Sequence, residues 1–177
     1  MELKGSQTEK NLRAAFAGES QARNKYTYFA SVARKAGFEQ IAAIFLDTAD
    51  NEKEHAKMIF KFLGELGDTP ANLKVAASGE NYEWTKMYPE FEKVARKEGL
   101  EEIANFFKGV QNAEKYHEQK HLALLENLQT KKVFQRTEPM RWRCRNCGYV
   151  FEGKEAPAEC PTCKHPRAFF EILCECF

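Results

Sequence analysis

The feature that most constrains this chain is a repeated helical pattern. Glu52-Lys53-Glu54-His55 returns 62 residues later as Glu114-Lys115-Tyr116-His117. Residues three apart on a helix share a face, so each copy aims a carboxylate and an imidazole in one direction, the geometry that grips a metal ion. The repeat extends well beyond the motif. Residues 26–55 laid over 88–117 agree at fourteen of thirty positions, including Tyr26/Tyr88, Phe29/Phe91, Arg34/Arg96, Gly37/Gly99, Ile41/Ile103 and Phe45/Phe107. An internal duplication of two helix-turn-helix units follows.

Ser6-Gln7-Thr8-Glu9 has the capping-box pattern and predicts a first helix from about residue 7 to the Gly37 turn. The second helix buries Ile41, Phe45, Thr48, Glu52, His55, Ile59, Phe62 and Leu66, and its duplicate buries Ile103, Phe107, Val110, Glu114, His117, His121, Leu124 and Leu128. Residues 67–79, with Pro70, read as a connection long enough to cross a bundle, and the third helix is expected from about Glu80. Pro89 should kink that helix near Tyr88. Counted from the two glycine turns, Glu19, Glu52, His55, Glu80, Glu83, Glu114 and His117 all lie fifteen to nineteen residues away and converge at one height of a four-helix bundle. Unpaired buried carboxylates cost several kcal/mol each. Five acids with two imidazoles therefore point to a pair of cations, and the oxygen-rich set suits iron or manganese better than zinc.

Residues 129–140, with Pro139, lose the helical period and read as a linker. The remainder carries all six cysteines. Four of them form two C-x-x-C pairs, Cys144/Cys147 and Cys160/Cys163, a tetrathiolate for iron or zinc whose metal should supply much of the module's folding energy. Spacing alone does not separate the two metals; the adjacent redox site favours iron. Cys174 and Cys176 fall outside the pattern as spare thiols, and His121 reads as a satisfied core or rim histidine. Tyr26 and Tyr88 are placed to donate phenolic hydrogen bonds to site carboxylates. A formal charge of +1 and the absence of a long apolar run argue against nucleic acid, export and a membrane span. Cysteines grouped for metal suit a reducing cytoplasm.

The motifs AFAGESQARNKY, NEKEH, GENYEW, AEKYHE, WRCRNCGY and CPTC, in that order, resemble the rubrerythrins over nearly the whole chain. The resemblance implies a mainly α fold: a ferritin-like four-helix bundle with a long crossover from second to third helix (1–135), then a small rubredoxin-like β module (136–177). It also implies two non-haem irons in the bundle and a third at the four cysteines. Glu52 and Glu114 would bridge the irons, with Glu19, Glu80 and His117 terminal and His55 exchanging with Glu83 on oxidation. The activity implied is reduction of hydrogen peroxide, with electrons from a rubredoxin or an NAD(P)H-dependent reductase. Two other readings are an iron-storing ferroxidase, which has no obvious need of the cysteine module, and a tail that is a zinc adaptor for protein partners. The cysteine module hangs about 16 Å beyond His117 along the fourth helix, which favours a homodimer that passes electrons between subunits.

Overall fold

The computed structural model describes residues 2–174, and Cys176 lies outside them. The chain divides into two units, residues 1–67 and 68–177. The expected class holds: helices dominate, and a small three-stranded sheet closes the chain.

The first unit is a hairpin of α1 (Gln7–Lys35) and α2 (Glu39–Phe62). Ser6 caps α1 by accepting the Glu9 N–H at 3.0 Å. Glu9 answers one residue earlier than a capping box would have it, accepting from the Gly5 N–H at 2.6 Å. At the turn, Gly37 adopts φ +83°, and the N–H groups of Gly37 and Phe38 return to the carbonyls of Arg34 and Ala33. That paired closure of a helix end needs a left-handed residue, which glycine supplies without strain. Ala30, Ala33 and Ala42 are buried at the seam near the turn, and small side chains there let the two helices approach closely. Away from the turn, Phe16 stacks on Phe60 and Tyr26 on Phe45.

The second unit repeats the plan with an interruption. It contains α3 (Thr69–Tyr82), a π-helical turn (Glu83–Met87), α4 (Tyr88–Lys97) and α5 (Glu101–Gln129). Gly99 makes the same turn at φ +77°, and Ala95 and Ala104 are buried where Ala33 and Ala42 are in the first hairpin. Two sequence expectations are corrected here. Residues 69–79 are helix, so the third helix starts eleven residues before Glu80. Asp68 caps it by accepting the Ala71 N–H, and Pro70 stands in the first turn, where a missing N–H costs nothing. Pro89 shows itself as the π turn: Tyr88 donates to the carbonyl of Glu83, a wider register that carries the helix up to the proline.

The stretch expected as a linker, 129–140, is also shorter than the sequence suggests, because β1 (Gln135–Cys144) begins at Gln135. Pro139 is accommodated where the β1 register slips between Gln135 and Met140. β1 pairs antiparallel with β2 (Val150–Glu155) and with β3 (Phe170–Ile172), giving the order β2-β1-β3. Trp142, fully buried, anchors this module and donates its indole N–H to the carbonyl of Gly153 at 2.8 Å.

Candidate metal centres

Each helical unit assembles a triad. In the first, α1 contributes Glu19 and α2 contributes Glu52 and His55, with ligand atoms within 4.8 Å of one another. His55 Nδ1 lies 2.8 Å from Glu52 and 3.9 Å from Glu19. The second triad, Glu80, Glu114 and His117, has the same form, with His117 Nδ1 2.6 Å from Glu114 and 4.0 Å from Glu80. The match follows from the duplication, since both glycine turns set the following helix in the same phase and the glutamate and histidine then stand one helical turn apart.

The electrostatics of both triads are those of acids gathered for a cation. A shared hydrogen bond with Glu52, together with partial burial, raises Glu19 above the ordinary carboxylate range. Desolvation, then the hydrogen bond and charge of Glu114, raises Glu80. Two carboxylates this close do not readily ionise together without a positive charge between them. The donor set, four carboxylates and two imidazoles over two triads, fits a pair of non-haem irons.

Glu83 belongs to neither triad. It opens the π turn beside the second triad, and burial, then the charge of Glu114, raises its carboxyl. The tyrosines are less symmetric than the duplication suggested. Tyr88 feels Glu83, Glu114 and Glu80 and is raised mainly by burial, whereas Tyr26 packs in an aromatic group with Phe29 and Phe45. Among the described residues no hydrogen bond joins either hydroxyl to a site carboxylate. The expectation that His121 is satisfied is corrected in part: Nε2 stands 3.7 Å from Glu80, but Nδ1 is buried without a hydrogen-bond partner. Sequence reasoning missed Glu118, which accepts from the Trp84 indole at 2.6 Å and from Asn81 at 2.9 Å. These bonds fasten α5 to the two sides of Glu83. Its position one turn beyond Glu114 was the available signal.

The four cysteines also gather. Cys144 and Cys163 sulfurs are 3.7 Å apart, and those of Cys147 and Cys160 are 3.6 Å apart. Each C-x-x-C loop closes through a left-handed residue just past its second cysteine, Gly148 or Lys164, whose N–H returns to the carbonyl of the first cysteine. The backbone N–H of His165 draws the Cys163 thiol down to about 6. Cys147, drawn down by the Tyr149 N–H, is nevertheless pushed up to about 12 by the crowded thiols. Four sulfurs at this spacing suit a tetrahedral iron. Cys174 is exposed and takes no part in the cluster.

The rubrerythrin family model matches residues 10–125, and the model of the rubrerythrin rubredoxin-like domain matches residues 142–171. A rubrerythrin of Porphyromonas gingivalis is 52% identical, with 97% of this chain and 92% of the relative covered. A second, from Nitratidesulfovibrio vulgaris, is also 52% identical, with 97% and 96% covered. A solved structure of partially reduced nigerythrin is 32% identical over 95% of this chain and 87% of its own, with a TM-score of 0.37.

Proposed function

Because the chain belongs to the rubrerythrin family, we propose that it is a non-haem diiron peroxidase reducing hydrogen peroxide to water, with electrons entering through its own rubredoxin-like module. The carrying observation is that one chain holds both carboxylate-histidine triads and a four-thiol cluster. A storage protein has use for the first but no obvious use for the second. The functional division falls at 135/136, with residues 1–135 forming the peroxide-reducing part and 136–177 the electron-delivering part.

Two ferrous ions held together supply the two electrons that one peroxide consumes, with two protons, in forming two waters. The chain's residues hold and tune that pair. Glu52 and Glu114, the least exposed members of their triads, would be the bridging ligands, and Glu19, Glu80 and His117 would be terminal ones. His55 and Glu83 would be the exchanging pair: an anionic carboxylate favours a trivalent ion more than a neutral imidazole does, so the Glu83 carboxylate would serve the oxidised state and the His55 nitrogen the reduced one. Glu83 lies on a π turn, a wider helical register than its surroundings. The Tyr88 hydroxyl, which feels the charges of Glu83, Glu114 and Glu80, would steady whichever oxygen is released, and Tyr26, its duplication partner, would do the same in the other half without a counterpart of Glu83 beside it. The redox partners are hydrogen peroxide and a rubredoxin or NAD(P)H-dependent reductase, the working unit is a homodimer, and the compartment is the reducing cytoplasm.

Glu83→Gln tests the exchange. It should keep the iron content within a factor of two and slow peroxide oxidation of the reduced protein about 10- to 100-fold, and an unchanged rate would remove Glu83 from the mechanism. Aerobic iron loading separates the storage reading, which requires iron to accumulate far beyond about three per chain.

A further inference from the structure

Tyr26 follows Glu19 by seven residues, whereas Tyr88 follows Glu80 by eight, so the second copy of the duplicated plan carries one extra residue between its triad glutamate and its tyrosine. The first copy runs through this stretch as unbroken α1, and the second passes through the π turn Glu83–Met87. A π turn bonds to the residue five along instead of four, so it absorbs one residue and leaves both flanks in phase. Glu80 can then meet Glu114 and His117 as Glu19 meets Glu52 and His55, although the copies differ in length. No acid lies between Glu19 and Tyr26; Glu83 stands in the longer copy.

The segment's own residues bend the helix here. The Thr85 hydroxyl donates to the carbonyl of Asn81 four residues back, a contact that loosens a helical turn, and Pro89 brings no N–H. The register is held from α5. Glu118 sets one carboxylate oxygen on each flank of Glu83: Oε1 accepts from the Asn81 side-chain amide at 2.9 Å, and Oε2 accepts from the Trp84 indole N–H at 2.6 Å. Asn81 belongs to α3 and Trp84 to the π turn, so one carboxylate spans the change of register. Lys115, three residues before Glu118 and on the same side of α5, places its ammonium 5.4 Å from the centre of the Trp84 ring. Hydrogen bonds to an ionised acceptor are the stronger kind, and both Glu118 and Trp84 are half-buried.

The copies also differ on the helix opposite. One residue beyond the matched histidines, the first copy has Ala56, which is buried, and the second has Glu118. The acid occurs in the copy that carries the insertion, and a small apolar residue stands in the copy that lacks it. Glu118 is one turn beyond Glu114 yet belongs to neither triad, and both of its oxygens are directed to the segment that contains Glu83.

We infer that Glu118 is a positioning residue: by binding Asn81 and Trp84 it holds the π register of Glu83–Met87 and so fixes where the Glu83 carboxylate stands beside the second triad. The inference rests on the reading of Glu83 as the ligand that exchanges with His55. Glu118 touches neither metal nor substrate in this role. It gives Glu83 one defined backbone position, so that exchange needs only the Glu83 side chain to turn.

Amide hydrogen exchange of the metal-free full chain, read by mass spectrometry, tests the clamp without turnover. Glu118→Ala loses both bonds and should speed exchange across residues 83–88 at least about tenfold, with residues 101–113 and the β module unchanged. Trp84→Phe loses one bond, keeps an aromatic ring, and should give a smaller increase over the same residues. The iron-loaded protein then ties the clamp to Glu83. Glu118→Ala should keep its iron within about a factor of two and slow peroxide oxidation of the reduced protein about tenfold, and added to Glu83→Gln it should slow oxidation no further. Unchanged exchange at residues 83–88 overturns the inference, as does exchange that speeds equally over residues 69–129, or slowing that multiplies in the double variant. If Glu83→Gln alone oxidises at the wild-type rate, the reading of Glu83 fails, while the exchange data still decide whether Glu118 holds the turn. Should Glu118→Ala not fold, Glu118→Gln and Trp84→Phe, each leaving one bond, give the same readouts.

Discussion

Glu19, Glu80 and Glu83 share a condition that can be measured without turnover: in the metal-free protein all three lie above the ordinary carboxylate range, through the neighbouring acid for Glu19 and through burial for the other two. A folded-state pKa above the unfolded one means the folded chain binds more protons. These groups therefore cost nothing below the unfolded value, and the metal-free fold loses stability as pH rises from that value through the raised ones. Melting the metal-free wild type and a Glu19→Gln, Glu80→Gln variant from about pH 4 to pH 7 should show the wild type falling relative to the variant. Parallel curves would contradict the account, and added metal should abolish the difference. Most of this was legible in the sequence, because carboxylates at core positions of an apolar stripe are costly and so conspicuous. The tyrosine pair was less so. Identical positions in a duplication suggested identical roles, but Tyr88 has Glu83 beside it, and no acid occupies the corresponding place near Tyr26.

Helix ends were legible where a glycine or a cap carried a unique meaning. Gly37 and Gly99 fix both hairpin turns, and nothing lies within 4 Å of an added Cβ at either position. Gly37→Ala should therefore cost about 1–2 kcal/mol from the left-handed backbone alone, measured by denaturant midpoint, with metal stoichiometry unchanged. A larger loss together with altered metal content would show that the turn does more than set the helix phase. Pro70 and Pro139 misled for one reason, that proline marks a loop and also suits a first helical turn or a strand irregularity, and only the neighbours decide. Asp68 before Pro70 was the deciding residue. In the β module, Trp142 packs against Cys144, Ala156, Cys160 and Phe170. Trp142→Ala should cost about 3–5 kcal/mol and leave the Gly153 carbonyl without its donor. Chelator release of the cysteine-bound iron would then accelerate while metal bound by the helices is retained. Equal loss from both sites would mean the module and the helices unfold together.

At the scale of the whole molecule, the fold class, both triads and the four-thiol cluster could be foreseen, since all rest on local spacing. What could not be foreseen was the route between the hairpins, which depends on whether eleven residues of mixed propensity become helix. On the proposed function, the two triads would hold the iron pair that reduces peroxide, and Cys144, Cys147, Cys160 and Cys163 would hold the iron that returns electrons to it. No helix among the described residues is long and apolar enough to cross a membrane. The most direct test is stopped-flow mixing of the fully reduced protein with hydrogen peroxide or with dioxygen at equal concentration, followed by diferric and ferric-tetrathiolate absorption. The account predicts that peroxide oxidises the diiron centre at least about tenfold faster, a difference of about 1.4 kcal/mol in barrier. Oxidation by dioxygen as fast as by peroxide would contradict it.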